Sequence, residues 1–450
     1  MTYADKSAGE TGSQANHTDV GGWLSSGRIR RQALLLSAAL WLGYVATIAA
    51  PGMRDRFGHL KGADFLHAYV LGTVALERRG DLLYDAGAQR EIGERRAPES
   101  AGDYFLPAYG PQYSLLWAPL ALLPYAWATA LWAALSAAIY GACCFALWKT
   151  CPNLQAYGGT VALATIAFPG FFALITFGQN SALALACFTG IYFALLRKRE
   201  FWAGVCLGLL AFKPQLALVA AGVFLTACFW PEGPESADDG KSRDKPASAT
   251  TRLSACKVVV GAAIALIGQA AAVWAWYGVR PFYDYAHALT RLGASAEILE
   301  PKLYLMHSLR AFWKLLLPWP GPAIALYLLT AFAALGLAIS WWHRPVPLEH
   351  RFAAVLIASV LVAPHLTVYD LVILVPAFLW IADFARANTD RRLAWLLYLA
   401  YLLPFAGPLA RWTHVQLSVI SLVCLLVAWG RMFPGHPRSA GAVVPAVKVN

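Results

Sequence analysis

The residue best placed to do chemistry in this chain is an acid that follows its first long apolar run. Asp64 lies just past a run that extends from Ala33 to Pro51. A positioned carboxylate can act as a general base, because it accepts a proton from a nearby hydroxyl group. Aspartate is also a preferred helix N-cap, so a purely structural role is the alternative. Asp64 is therefore a candidate base or a candidate cap.

The residues that follow Asp64 have the spacing of a helix with one apolar face. Between Phe65 and Leu76 the apolar and small side chains recur at helical intervals. After a membrane exit this pattern is typical of an amphipathic helix that lies along the membrane surface. The sequence thus predicts that Asp64 stands at the head of an interfacial helix.

A lysine interrupts a later apolar run. Lys213 stands between Phe212 and Pro214. A charged side chain in such a segment should face a cavity or pair with an anion. A phosphate suits this compact cation with its three N–H donors. The alternative is that Lys213 reaches toward lipid headgroups at the membrane surface.

Three further polar clusters interrupt apolar sequence. Gly178-Gln179-Asn180 indicates either a polar turn between two helices or part of a site. After Pro364 come His365, Tyr369 and Asp370. An acid here is costly unless it caps, pairs or lines water, whereas His365 could be an ordinary turn residue. Tyr304, His307 and Arg310 have roughly helical spacing and either line the same cavity or form a surface face.

The composition is that of a membrane protein. Hydrophobic residues make up 59% of the 450 residues, charged residues only 14%, and the mean hydropathy is +0.52. The net charge is +11, but Lys and Arg cluster between apolar runs, which is the positive-inside pattern and argues against nucleic-acid binding. The eight Cys show no CxxC spacing, and no nucleotide-binding or zinc-hydrolase motif occurs. We therefore expect no cofactor and no metal site.

The hydropathy pattern predicts an all-α polytopic membrane protein with about 11–13 membrane helices, some of them short or re-entrant. The arginine clusters near residues 28–31, 197–199, 344–351 and 386–392 are expected on the cytoplasmic side. Asp64, Gln179, Lys213 and His365 then share the opposite side. The predicted organisation is a disordered tail over 1–27, a membrane domain over 28–433 and a tail over 434–450, with outer loops 52–112 and 280–320 and a cytoplasmic linker 231–252.

Several short motifs together resemble glycosyltransferase family 87, the polyprenol-phosphate-mannose-dependent alpha-(1-2)-mannosyltransferases of the GT-C superfamily. No single motif is specific, and the resemblance rests on their order along nearly the whole chain. These motifs are Asp64 with Tyr69, Gly80–Asp85, Tyr109-Gly110-Pro111, Gly178-Gln179-Asn180, Ala203-Gly204 with Gly208, Lys213-Pro214 and Pro364.

The resemblance implies a GT-C-like membrane enzyme that transfers a hexose, with mannose as the family's sugar, from a polyprenyl-phosphate donor to a glycolipid or glycan acceptor. Transfer would invert the anomeric configuration without a metal ion, at the outer face of a bacterial inner (cytoplasmic) membrane, and membrane lipids would be the other partners. The alternatives are a secondary transporter and a non-catalytic lipid-handling protein. A transporter should show paired broken helices in two repeats, and only the Lys213-Pro214 break is apparent.

The resemblance also assigns roles to individual residues. Asp64 takes the place of the family's base. His365, Tyr369 or Asp370 takes the place of a late family histidine, which usually stands several residues after the proline and not beside it. Independently of the resemblance, the need for a cation at the leaving phosphate makes Lys213 the candidate, with Arg78 or Arg79. The other expected substrate-binding residues are Tyr69, Tyr109, Gln179, Asn180, Tyr369, Asp370 and His307.

Overall fold

The computed structural model describes residues 25–103, 108–229, 247–294 and 302–432, without the side chains of 228–229, 247–255 and 292–294. Most of the predicted N-terminal tail, most of the predicted linker 231–252 and nearly all of the predicted C-terminal tail lie outside these residues. The regular structure that is described consists of helices, with two isolated bridges between extended residues.

The α-helices follow one another along the chain with short connections, several of which are single 3₁₀ turns. They are α1 (Ser26–Ile48), α2 (Ala63–Leu76), α3 (Ala86–Arg96), α4 (Gln112–Ala121), α5 (Tyr125–Trp148), α6 (Gly158–Ile166), α7 (Pro169–Phe177), α8 (Ser181–Leu196), α9 (Glu200–Leu209), α10 (Pro214–Phe229), α11 (Ala247–Tyr277), α12 (Arg280–Ala294), α13 (Leu309–Leu316), α14 (Pro320–Trp342), α15 (Leu348–Val362), α16 (Val375–Ala387), α17 (Arg391–Leu402), α18 (Ala410–Thr413) and α19 (Leu417–Arg431).

The number and length of the apolar helices confirm the predicted all-α polytopic membrane fold. Among the described residues, six helices are long and apolar enough to cross a membrane, or seven if the bent pair formed by α6 and α7 is one span. Five shorter apolar helices accompany them, α2 and α8 included. The predicted 11–13 membrane helices are reached only when these shorter helices are counted.

Two proline positions break the apolar runs. A 3₁₀ turn over Leu210–Phe212 ends at Lys213, and α10 begins at Pro214, which confirms the predicted break. Proline has no N–H group for a helix interior but suits the first helical position. The second break was not predicted: the chain bends by 48° between α6 and α7, where Phe168 adopts an extended conformation before Pro169.

Close packing of small residues joins α9 to α11. A side chain added at Gly204 would collide with the backbone of Val258, and one added at Gly261 would collide with the backbone of Phe201. Small residues at such contacts let helix backbones approach closely in membranes. The Ala203-Gly204 motif is therefore explained by helix packing.

The helix after Asp64 forms where it was predicted, but its environment corrects the prediction of a surface helix. Every residue of α2 from Phe65 to Ala75 is buried. Helices α3, α4 and α5 pack around it, and Thr73 donates a hydrogen bond to the Tyr69 carbonyl inside the same helix. Helix α2 is therefore covered by other parts of the protein and does not expose one face to a membrane surface.

Candidate active site

Two glycines bring the start of α2 against the end of α7. Gly62 (φ 64°) and Gly178 (φ 72°) both have left-handed backbones, which side chains disfavour. A Cβ added at Gly178 would lie 3.3 Å from the Gly62 Cα atom and 2.9 Å from the Phe65 Cβ atom. This backbone contact sets Gln179, which follows Gly178, opposite Asp64.

Asp64 lies in the first turn of α2 and does not cap it. The N-cap position belongs to Gly62, and no side chain makes a cap hydrogen bond there, so the capping alternative was wrong. Instead, the Asp64 Oδ2 atom accepts a hydrogen bond of 2.7 Å from Gln179 Nε2. None of the described residues donates to Asp64 Oδ1. This half-buried carboxylate is thus held by one oxygen, and the other is open to a ligand.

The surroundings of Asp64 make its carboxylate more basic than usual. Asp64 belongs to α2, which is too short to cross a membrane, so its carboxylate does not lie in a membrane-spanning helix. Burial raises the pKa of Asp64, and the charge of Asp370 adds to this, whereas the hydrogen bond from Gln179 and the charge of Lys213 act in the opposite direction. Burial is the largest of these effects. A raised pKa brings a carboxylate closer to the range that favours general-base catalysis near neutral pH.

A buried ion pair lies beside Asp64. Lys213 and Asp370 are 4% and 3% exposed, and the Lys213 ammonium group contacts Asp370 Oδ1 directly. Lys213 also donates to Ser181 Oγ at 2.7 Å, and Ser181 Oγ donates to the same Asp370 oxygen at 2.6 Å. The backbone N–H of Thr367 reaches the other Asp370 oxygen in a capping box that begins the 3₁₀ helix Val368–Leu374. The acid is thus paired and also caps a helix.

An aromatic wall closes another side of the cluster. The rings of Tyr109 and Tyr113 stack with centroids 4.0 Å apart. Asn180 Nδ2 donates to the Tyr113 hydroxyl at 2.7 Å, while Asn180 Oδ1 is buried without a partner among the described residues. The Tyr369 ring centroid lies 5.5 Å from the Lys213 ammonium group. The cluster therefore contains stacked tyrosine rings and a buried amide acceptor without a partner among the described residues.

Two of these residues, Tyr113 and Ser181, were not identified from the sequence. A signal was present for each, because Ser181 directly follows Gln179-Asn180, and Tyr113 lies two residues beyond Tyr109-Gly110-Pro111. Both hydroxyl groups have their partners in distant segments. Only the fold brings these segments together.

The two arginines expected beside Lys213 lie elsewhere. Arg78 and Arg79 follow the far end of α2, and fourteen residues of helix span about 21 Å. The Arg78 guanidinium group lies over Trp276, 4.5 Å from its ring centroid, and Arg79 pairs with Asp81 at 2.9 Å. The length of α2 keeps both arginines away from the cluster, so the prediction that they share one phosphate with Lys213 was wrong.

Three more predicted residues have their contacts outside the cluster or at its edge. Tyr69 is fully buried and donates to the Leu123 carbonyl at 2.8 Å. His307 is buried, and its Nδ1 atom lies 2.6 Å from Ser418 Oγ. His365 is half-buried in the turn that precedes the 3₁₀ helix carrying Asp370. The Tyr69 hydroxyl group and the His307 Nδ1 atom are thus used in contacts between parts of the fold, and a role for His365 stays a prediction.

The arrangement can accept a proton at Asp64 and can donate a hydrogen bond from Lys213. An ammonium group has three N–H donors, of which Asp370 and Ser181 occupy two. In the part of the chain that the structure describes, no three His, Cys, Asp or Glu side chains group as metal ligands. The cluster therefore offers proton transfer and anion contact next to ring faces.

Comparison with known proteins gives one match. The family model for Glycosyltransferase family 87 matches residues 105–364, more than half of the chain. Comparisons with curated proteins and with solved structures gave no match. The matched range includes Gln179, Ser181 and Lys213, whereas Asp64 and Asp370 lie on either side of it.

Proposed function

The chain belongs to glycosyltransferase family 87, and from this we propose that it transfers a hexose, with mannose as the expected sugar, from a polyprenyl-phosphate donor to a lipid or glycan acceptor. Its membrane helices and its family make it an integral membrane glycosyltransferase. The proposed donor and mechanism are supported by one observation: the Asp64 carboxylate lies next to the buried Lys213–Asp370 pair.

In the proposed reaction, Asp64 is the general base. The acceptor hydroxyl oxygen attacks the anomeric carbon as the bond from that carbon to the phosphate oxygen breaks. The hydroxyl proton passes to Asp64 Oδ1, since Oδ2 is held by Gln179. Polyprenyl phosphate leaves with the bonding electrons, and attack from the opposite side converts a β-linked donor into an α-linked product. Proton removal by a positioned side chain accelerates such attack by about a hundredfold or more.

Lys213 is proposed to contact the leaving phosphate through its third N–H bond. Because Asp370 offsets the lysine charge, the contribution is an oriented hydrogen bond more than a net positive charge. Ser181 and Asp370 fix the direction of the ammonium group. In this account the developing negative charge is met by Lys213, without a requirement for a metal ion.

The sugar is proposed to lie against the tyrosine wall. Sites for small molecules combine aromatic surfaces with a few placed polar groups. Tyr109 supplies a ring face, and Asn180 Oδ1 supplies an acceptor for a sugar hydroxyl. By the positive-inside rule, the site faces the outside of a bacterial inner membrane, because Asp64 follows α1 at the end opposite to Arg28–Arg31.

Sealed vesicles containing the full-length protein test the proposal. A short-chain polyprenyl phosphate carrying an isotope-labelled mannose is added from outside to right-side-out vesicles, together with a membrane extract as the source of acceptors. We expect labelled product with an α linkage. The same label supplied as a nucleotide sugar, in vesicles free of the lipid donor, should give none. Transfer from the nucleotide sugar alone would contradict the proposed donor, and transfer only in inverted vesicles would contradict the orientation.

A further inference from the structure

A large cavity lies outside the Asp64 cluster. Its volume is about 620 Å³, and it is enclosed by α1, α6, α16 and α17. Pockets that bury a small molecule have volumes of about 300–1,000 Å³. Among the described residues that line it, none belongs to the set Asp64, Gln179, Lys213 and Asp370. This cavity is therefore separate from the proposed active site.

The walls of the cavity suit a hydrocarbon chain. They are formed by apolar side chains, among them Leu36 of α1, Ala164 of α6 and Leu379 of α16. Along α16 the lining extends from Val375 to Arg386. Eleven helical steps cover about 16 Å, roughly half of the 30 Å hydrocarbon thickness of a bilayer. The cavity thus has the depth of one membrane leaflet.

The mouth of the cavity is positively charged. Arg386 and Arg391 stand at this end and are exposed. The Arg386 guanidinium group lies over the Tyr157 ring, 3.8 Å from its centroid, and so is fixed at the rim. The nearby Asp390 carboxylate accepts a hydrogen bond of 3.0 Å from the Leu393 N–H as the cap of α17. A ligand whose head is anionic and whose body is apolar complements both the mouth and the walls.

We propose that this cavity binds one anionic phospholipid from the leaflet at the arginine-rich end of the bundle. An acyl chain lies between the packed pair of α1 and α6 on one side and α16 and α17 on the other, and the phosphate lies at Arg386 and Arg391. A hydrogen bond of 2.8 Å from the Tyr398 hydroxyl to Gln32 Oε1 ties α17 to α1 across the cavity, so the bound lipid would fill the space between helices that are already joined. The lipid is a structural ligand, distinct from the sugar donor at Asp64.

Photocrosslinking of the full-length protein tests this proposal without any measurement of sugar transfer. The probe is phosphatidylglycerol with a diazirine in its acyl chain, present as a minor component of phosphatidylcholine vesicles. We expect labelled peptides from α1, α6, α16 and α17. An arginine near the headgroups contributes enough affinity that Arg391→Gln should lower this labelling about fivefold. Arg392→Gln is the matched control, because Arg392 is exposed and does not line the cavity.

A second pair of variants tests the acyl chain site. Ala164→Phe fills the cavity and should remove the labelling, whereas Ala162→Phe places the same ring on the exposed side of α6 and should leave it unchanged. Labelling that survives Ala164→Phe would overturn the proposal. If a phosphatidylcholine probe labels the protein as strongly as the phosphatidylglycerol probe does, the requirement for an anionic lipid is overturned. The same holds if the Arg391→Gln variant is labelled as strongly as the parent protein.

Discussion

Replacing Asp64 with asparagine is expected to lower the rate of sugar transfer by about a hundredfold or more. Asparagine keeps the size of the side chain and an oxygen that can accept the hydrogen bond from Gln179. It cannot take a proton from the acceptor hydroxyl. The measurement is turnover at saturating donor in membranes with matched amounts of the parent and variant proteins.

The Asp64→Ala variant serves as the companion to this experiment. Because the structure excludes a capping role, alanine and asparagine should reduce turnover to a similar extent, with donor binding retained. If the asparagine variant works at nearly the parental rate while the alanine variant fails, Asp64 only positions Gln179. The base would then have to be sought at another residue of the site, His365 first.

Breaking the Lys213–Asp370 pair on one side is expected to destabilise the protein severely. Lys213→Gln leaves a buried carboxylate unpaired, and Asp370→Asn leaves a buried ammonium group unpaired. Loss of one partner of a buried pair costs about 3–5 kcal/mol, whereas neutral replacement of both partners is often tolerated. The midpoint of thermal unfolding should fall in each single variant and recover in the Lys213→Gln/Asp370→Asn double variant.

The double variant also tests whether Lys213 binds the donor phosphate. A charge-assisted hydrogen bond is worth about 1.5–3 kcal/mol, so the folded double variant should bind the donor roughly tenfold to a hundredfold more weakly. Parental donor affinity in the double variant would mean that the pair is structural only. Arg79→Gln is the control, since the exposed Arg79–Asp81 pair should contribute little to the unfolding midpoint or to donor affinity.

The fold could be predicted where a local signal decides the structure. The apolar run Tyr125–Trp148 forms the single helix α5, which begins after Pro124 and ends before Lys149. The break at Lys213-Pro214 follows from the missing N–H of proline. The surface helix after Asp64 was wrong for the opposite reason: which face of α2 is covered depends on α4, and no local pattern records that contact.

The sequence singled out Asp64, Gln179, Lys213 and Asp370 as candidates, but it did not reveal which of them are in contact. An acid and a lysine in apolar sequence were recognised as costly without partners, yet Asp370 lies 157 positions after Lys213, and Gln179 lies 115 positions after Asp64. Proximity in the sequence was misleading for Arg78 and Arg79, because a rigid helix separates them from Asp64. Contacts between residues so far apart in the sequence depend on how the helices pack. No short stretch of sequence specifies that packing.

The pH dependence of kcat/KM tests most directly whether Asp64 takes the proton of the acceptor hydroxyl. A base works only when deprotonated, so the rate falls as the pH drops through its pKa. The hydrogen bond from Gln179 lowers the pKa of Asp64, and removing it in Gln179→Leu should raise that pKa. The acidic limb of the profile should therefore move to higher pH in this variant. It should stay in place in Gln155→Leu, whose side chain bonds to the Trp148 carbonyl away from the site. An acidic limb that does not move in Gln179→Leu would contradict the assignment of Asp64 as the base.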